Sequence, residues 1–364
     1  MKIVFRTDAS LDIGTGHVMR CLTLAISLRE NGAECLFLCR QHEGSLISLI
    51  LKNGFKVIKL PVLYEKDNHL KLDSTPHAHW LGCHWLKDAS DCQRVIDNKM
   101  DWLIVDHYAL ERKWETAMRN KFHKIMCIDD LADRHHDCDL LLDQSYGRIS
   151  KDYYNLVPSH AKQLLGPAYA LLRPEFSKWK FVSLLRRKVP ELCHILISMG
   201  GVDKDNISCD ILDILKNCNL PNLNQITVIL GINSIWINEV NMAALGMPIT
   251  TKVLLGANNM AELMASCDLA IGAGGATTWE RCSLGVPSIL INTAQNQNNI
   301  AKQMQSSSAT FVINSINEIN YSLPKLLSRC SKLDTLLQLS TAASKITDAL
   351  GTDRVTSELI NDGI

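Results

Sequence analysis

The 364-residue chain carries no excess of either charge, with Lys+Arg and Asp+Glu at 38 each and no basic run. A nucleic-acid binder shows clustered positive charge, so that class is excluded. No window approaches the roughly 18 consecutive apolar residues of a membrane span. The N-terminus opens directly on a strand pattern, KIVFR, so neither a signal peptide nor a membrane anchor is expected. There is no CxxC pair, and the cysteine count, 13, is odd. The cysteines are scattered through apparent core segments (Cys21, Cys35, Cys127, Cys193, Cys267 and Cys282 among them), which reads as reduced structural thiols in a cytoplasmic protein. Neither a Walker A loop nor a complete GxGxxG is present. Paired carboxylates at hydrolase spacing are also missing.

Two patterns imitate metal sites. His77, His79 and His84 share one loop with Cys83 (TPHAHWLGCHW), but the spacing fits no standard zinc site, and two tryptophans stand where a second thiolate pair belongs. A packing or substrate-facing loop is expected there. Asp137-Cys138-Asp139 and Asp203-Lys204-Asp205 resemble the DxD of manganese-dependent glycosyltransferases. The first precedes a strand, and the second enters a helix where aspartate caps well, so both read as structural. Neither a metal nor a cofactor is expected.

What is present is a βαβ rhythm. Hydrophobic residues make up 46% of the chain and charged ones 21%, ordinary for a globular enzyme, and the length admits two domains. Strand patterns at 2–6, 35–39, 56–60, 102–106 and 124–129 alternate with helical ones at 18–30, 44–53, 87–99 and 111–121. This predicts a parallel sheet covered on both faces. The rhythm lapses between Pro158 and Pro190 and then restarts. Strands follow at 194–198, 225–230, 250–255, 269–271 and 288–291, with helices at 204–217, 234–245, 258–265 and 276–284. The expectation is α/β, with two Rossmann-like domains facing a cleft: residues 1–170, a connector at 171–190, and residues 191–315. A helical tail, 316–364, is placed to pack back on the first domain.

The first strand gives way to a helix through Asp8 and Gly14-Thr15-Gly16-His17. Gly14 and Gly16 let a ligand approach the backbone, and the free N–H groups of a first helical turn attract anions. His17 is either a base delivered to a ligand or a histidine that packs and caps. Polar strand ends, Asp106-His107-Tyr108 and Asp129-Asp130, point to the same edge of the sheet. The second half has two glycine turns, Ser198-Met199-Gly200-Gly201 and Gly272-Ala273-Gly274-Gly275-Ala276-Thr277, each opening a helix that can present amides to a diphosphate. Glu280 lies one turn further on, placed either to accept from a ribose diol or to pair with Arg281 on a solvated face. Gln295-Asn296-Gln297-Asn298 offers neutral amides to sugar or phosphate oxygens, or simply starts a helix.

Taken together, RTDASLDIGTGHVMRCLTLA, DHYAL, DDLADRHHDCDLLLDQ, GPAYALLRPEF, ISMGGVDKDN and GAGGATTWERCSLGVPS resemble the nucleotide-sugar hydrolases of pseudaminic acid biosynthesis, over nearly the whole chain and in the same order. Those enzymes release UDP from UDP-2,4-diacetamido-2,4,6-trideoxy-β-L-altropyranose, on the route to flagellin glycosylation. The family in turn looks like the glycosyltransferase that makes lipid II, with its GT-B arrangement. The resemblance implies UDP on the second half, with Gly200, Gly201, Gly274, Gly275, Ala276 and Thr277 at the phosphates. It places the sugar against Asp8, Gly14 and Gly16. His17 becomes the general base that activates water. Tyr108 lines the sugar pocket or assists His17, and Arg173 serves the diphosphate or domain closure. Glu280 takes the ribose, and Asn296 and Gln297 lie near substrate. A monomer acting on a small-molecule UDP-sugar is expected; the rivals are a glycosyltransferase of the same architecture and a non-catalytic UDP-sugar binder.

Overall fold

The computed structural model describes residues 1–62, 75–232, 234–294 and 297–361. The chain divides into two compact units: Met1–Leu171 with Gly351–Ile364, and Leu172–Leu350. Unit 1 holds strands β1 (Lys2–Thr7), β2 (Glu34–Arg40), β3 (Lys56–Leu60), β4 (Met100–Asp106), β5 (Phe122–Ile128), β6 (Leu140–Asp143) and β7 (Lys162–Leu165). They form one parallel sheet in the order β3-β2-β1-β4-β5-β6-β7. Helices α1 (Gly16–Glu30), α2 (Ile47–Lys52), α3 (Trp85–Arg94) and α4 (Arg112–Met118) cover it.

Unit 2 starts with helix α5 (Pro174–Arg186) and continues through β8 (His194–Ser198), α6 (Ile207–Lys216), β9 (Gln225–Leu230), α7 (Ile237–Leu245), β10 (Thr250–Leu255), α8 (Met260–Ser266), β11 (Leu269–Ala273), α9 (Ala276–Ser283), β12 (Ser288–Ile291), α10 (Asn298–Ser306), β13 (Phe311–Ile313), α11 (Ile319–Cys330) and α12 (Leu333–Ala343). Its parallel sheet runs β10-β9-β8-β11-β12-β13.

Three stretches differ from the expectation. The lapse after Pro158 contains β7, which completes the first sheet, and the connector at 171–190 folds as α5 within unit 2. Arg187, just past α5, donates to the carbonyls of Met264, Ala265 and Cys267 and so closes the C-terminal end of α8. The tail divides. Leu323, Leu327, Leu336 and Leu339 of α11 and α12 join the core of unit 2, whereas α13 (Gly351–Asn361) returns to unit 1. There Val355 and Leu359 pack in the cluster that contains Leu24 and Leu28 of α1, and the Thr356 hydroxyl donates to Ser27 Oγ at 2.9 Å.

The period-2 alternation of β1 sets up a buried ionic cluster. Ile3 and Phe5 face one core layer and Val4 the other. Arg6 shares the Val4 side, where α3 packs, so its guanidinium is wholly buried. Asp88 of α3 meets it through Nε at 3.1 Å and Nη2 at 2.8 Å, and also accepts from Arg40 Nε at 2.8 Å and Trp114 Nε1 at 2.9 Å. Burial works against the Asp88 charge, but Arg6 and Arg40 outweigh it and hold the carboxyl below its usual range. Its contribution is therefore complete above the ordinary carboxylate range, about pH 4, and is lost as acid takes the pH below it. Asp88→Ala leaves two arginines buried without this partner. It is expected to destabilise the protein by about 3–5 kcal/mol, read as a lower urea midpoint; an unchanged midpoint would contradict the assignment.

Candidate active site

Each sheet reverses its strand order beside its first strand, between β1 and β4 in unit 1 and between β8 and β11 in unit 2. Ligands of open α/β sheets bind beyond the carboxyl ends of the strands at such a reversal. In both units, segments singled out from the sequence lie there.

In unit 1 the chain leaves β1 in a closed turn. The Gly14 N–H donates to the Ser10 carbonyl at 2.9 Å, and Ser10 Oγ accepts from the amides of Asp12 and Ile13. Gly14 holds φ +80°, a conformation that side chains disfavour. Gly16 opens α1 with empty space where a Cβ would stand. His17 follows, buried, with Nδ1 2.6 Å from Asp106 Oδ1. The register pairs Thr7 with Asp106, which brings the end of β4 beside this turn.

Arg20, one turn along α1, grips the same carboxylate twice, Nε to Oδ2 at 2.6 Å and Nη2 to Oδ1 at 2.7 Å. Burial opposes the Asp106 charge, yet Arg20 and then His17 hold its carboxyl well below the usual carboxylate range. An anionic Asp106 can only accept, so Nδ1 of His17 carries a ring proton, and the neutral form of the ring then has its lone pair on Nε2. No partner takes Nε2 among the described residues.

The network continues outward. Arg20 Nη1 lies 2.5 Å from Asp130 Oδ2, which also accepts the Tyr108 hydroxyl at 2.9 Å. Burial, reinforced by Asp130, raises the Tyr108 phenol well above its ordinary value, so it is neutral and its hydroxyl is committed. Its ring stands edge-on to His17, centroids 4.5 Å apart. Trp80, on the 3-10 turn Ala78–Leu81, stacks on Tyr108 at 5.8 Å with 23° between the planes, and His77 lies 4.4 Å from Trp80. The His/Trp-rich loop thus supplies aromatic rings to the site. His84 serves another purpose, its Nδ1 accepting from the Leu86 amide at the start of α3.

Asp8 is placed differently from the expectation that it touches substrate. It is 1% exposed, with Oδ2 2.8 Å from Arg6 Nη1 and Oδ1 accepting the Arg40 amide at 2.7 Å. Its carboxylate belongs to the ionic cluster beneath the site. Asp137 and Asp139 are bridged by Arg119, and Asp203 accepts from the Ile207 and Ser208 amides at the start of α6. Among the described residues, Glu115, Cys127 and His136 form a buried set at metal-ligand spacing. They already hydrogen-bond one another, His136 Nδ1 to Glu115 at 2.7 Å and Cys127 Sγ to Glu115 at 3.1 Å.

In unit 2 the two glycine turns flank the reversal. The register pairs Gly272 with Ser198, and a Cβ on Gly272 would come within 2.7 Å of the Ser198 carbonyl. Gly200 is exposed and Gly201 half-buried in the first turn. In the second, a Cβ on Gly274 would come within 3.3 Å of the Gln297 side chain, and Gly275, Ala276 and Thr277 lead into α9, half-buried. Behind them Arg281, buried, donates from Nη2 to the Ala273 carbonyl at 3.1 Å and to Thr278 Oγ1 at 3.2 Å, which braces the turn. Glu280 Oε1 lies 3.6 Å from Arg173 Nη2, and burial lifts its carboxyl above the usual value with Arg173 opposing. Gln297 Oε1 accepts from the Thr293 amide and hydroxyl. Asn296 and Gln295 lie outside the described residues.

The structure therefore gathers His17, Gly14, Gly16 and Tyr108 in unit 1, and Arg173, the glycine turns, Glu280 and Gln297 in unit 2. Sequence reasoning gave no role to Asp106, Arg20, Asp130 or Trp80, and took Arg281 only as a surface partner for Glu280. Asp106 was visible as a polar strand end, and Arg20 as the i+3 neighbour of His17 on one helix face.

The glycosyltransferase family 28 C-terminal domain model matches residues 194–352. The chain is 31% identical over 298 residues to an uncharacterized protein of Methanocaldococcus jannaschii, covering 80% of this chain and 55% of that one. It therefore spans little more than half the length of that relative. It is 28% identical over 273 residues to the UDP-2,4-diacetamido-2,4,6-trideoxy-beta-L-altropyranose hydrolase of Campylobacter jejuni, covering 71% of this chain and 86% of that one. Among solved structures, Acinetobacter baumannii MurG superposes with a TM-score of 0.70 at 16% identity, over 99% of both chains. The fold is thus GT-B, and the chain is related to enzymes that act on UDP-sugars. Among the described residues no helix is long and apolar enough to cross a membrane.

Proposed function

We propose that the chain is a nucleotide-sugar hydrolase that converts UDP-2,4-diacetamido-2,4,6-trideoxy-β-L-altropyranose and water to UDP and the free 2,4-diacetamido-2,4,6-trideoxy-L-altrose, a step of pseudaminic acid biosynthesis. It acts as a cytoplasmic monomer without metal or cofactor. The observation that carries this reading is the His17–Asp106 pair at the strand reversal of unit 1, with Nε2 unclaimed. Water held by Nε2 loses its proton to the imidazole as it attacks the anomeric carbon from the face opposite UDP. The C–O bond to the diphosphate breaks, the configuration inverts, and Asp106 supports the imidazolium that forms. Gly14 and Gly16 leave room for sugar and water, and the Tyr108 ring walls the site.

UDP is assigned to unit 2. Amides near Gly200, Gly201, Gly274, Gly275, Ala276 and Thr277 meet the diphosphate, helped by Arg173, and this fixed field stabilises the departing charge. Glu280 accepts from the ribose hydroxyls, and the Asn296–Gln297 pair is assigned to the substrate. Hydrogen bonds to a charged group contribute about 1.5–3 kcal/mol. Glu280→Ala is accordingly expected to weaken UDP binding by roughly 10- to 100-fold in calorimetry and to weaken 2′-deoxy-UDP much less. Equal losses for both nucleotides would remove Glu280 from the ribose.

The family model and the MurG likeness favour one rival, a glycosyltransferase in which His17 deprotonates an acceptor hydroxyl. Incubation with the UDP-sugar and no acceptor separates the two. The hydrolase releases UDP and free sugar in equal amounts, whereas the transferase turns over only when an acceptor is added. A UDP-induced thermal shift without UDP release from any UDP-sugar would mark a binding protein instead.

A further inference from the structure

One buried polar cluster of unit 1 has no role in the proposed hydrolysis. Glu115 of α4, Cys127 of β5, and His136 and Cys138 on the segment leading into β6 are all buried. The two cysteines belong to the apolar layer that also holds Trp114, Met118, Ile125 and Leu141. Glu115 Oε1 takes both the His136 Nδ1 contact at 2.7 Å and the Cys127 thiol at 3.1 Å, while Oε2 accepts the Asp137 amide at 2.6 Å. Cys138 lies beside Cys127, near enough for the two thiols to interact.

The far side of the imidazole faces a second carboxylate. His136 Nε2 is buried with no hydrogen-bonding partner among the described residues, and it stands 3.9 Å from Asp129 Oδ2. A neutral ring that gives its one proton to Glu115 turns a bare lone pair toward that carboxylate. An ion on Nδ1 reverses this: the proton moves to Nε2 and points at Asp129, the carboxylate–histidine–metal arrangement of many metal sites. Two thiols, an imidazole and a carboxylate are also donors that suit zinc rather than magnesium or calcium.

We propose that Glu115, Cys127, His136 and Cys138 form a structural site for one zinc ion, which ties α4, β5 and the entry to β6 together. The bonds of a tetrahedral zinc, about 2.0–2.3 Å, set neighbouring donors about 3.3–3.8 Å apart, so the Glu115 contacts open by roughly half an ångström as the ion seats. Both thiols give up their protons, and the imidazole proton passes to Nε2. Asp129 is followed in the chain by Asp130, which holds Arg20 and Tyr108. The ion thus steadies that strand end, and no step of the hydrolysis passes through it. The alternative is a cationic His136 held between Glu115 and Asp129.

The test uses the full chain, produced with added Zn²⁺ and freed of loosely held metal on a chelating resin. One zinc per chain is expected by elemental analysis. The thermal midpoint is expected about 5–10 °C above that of chain produced under zinc limitation, the shift of a ligand held at about 100 times its Kd. Chain produced with cobalt instead shows sulfur-to-metal charge transfer and tetrahedral d–d bands. Cys127→Ser and His136→Gln lose the zinc, whereas Cys83→Ser, in the His/Trp-rich loop, keeps it. If the first two variants do not fold, the cobalt spectrum of Cys83→Ser decides: a thiolate band there supports the buried site, and its absence refutes it. Overturning results are a chain without zinc, an unchanged midpoint, zinc retained by Cys127→Ser and His136→Gln, or zinc lost with Cys83→Ser.

Discussion

His17→Asn is expected to lower kcat by about 10²–10⁴-fold, the usual worth of a positioned general base, while UDP and the UDP-sugar bind as they do to the wild type. The asparagine amide can still donate to Asp106, so the hydrogen bond at the end of β4 is conserved and only the lone pair of Nε2 is lost. Loss confined to kcat identifies an interaction made in the transition state. Near-normal turnover in His17→Asn and in His17→Ala would remove the histidine from the chemistry.

Asp106→Asn is expected to cost both rate and stability. An amide at this position either accepts from the ring or donates to Nδ1, and the second choice moves the ring proton to Nε2, where it blocks the base. In catalytic triads the same exchange costs about 10⁴-fold. The carboxylate also holds Arg20, which is 6% exposed and otherwise pairs, among the described residues, with Asp130. Stripping a buried cation of its main partner costs about 3–5 kcal/mol. The variant is therefore expected to show a lower urea midpoint as well as slow turnover. His17→Asn, which leaves Arg20 paired, keeps its midpoint. Identical stability in the two variants would contradict the bidentate pairing as the anchor of the site.

The sheet rhythm was readable because the central strands are apolar runs bounded by polar residues. FLC in β2, LIV in β4 and ILI in β8 are buried on both faces, which leaves a continuous signal. The edge strands β7 and β13 span four and three residues and carry too little pattern to register. His17 was legible from the glycines around it. Its partner was not, because Asp106 is 89 positions away and only the β1–β4 register brings the two together. Distance in sequence also hid the Arg6–Asp88 pair, 82 residues apart, and with it the reason Asp8 is inward. Arg281 looked like a surface partner for Glu280, whereas the structure buries it behind the glycine turn and leaves Glu280 beside Arg173.

The central claim is that water, activated at His17, attacks carbon and not phosphorus. Turnover of the UDP-diacetamido sugar in ¹⁸O-labelled water, followed by ³¹P NMR of the released nucleotide, tests it most directly. UDP free of label, with free sugar formed in equal amount and no acceptor present, is the predicted result. An isotope-shifted β-phosphate, or release that waits for an added acceptor, would contradict it.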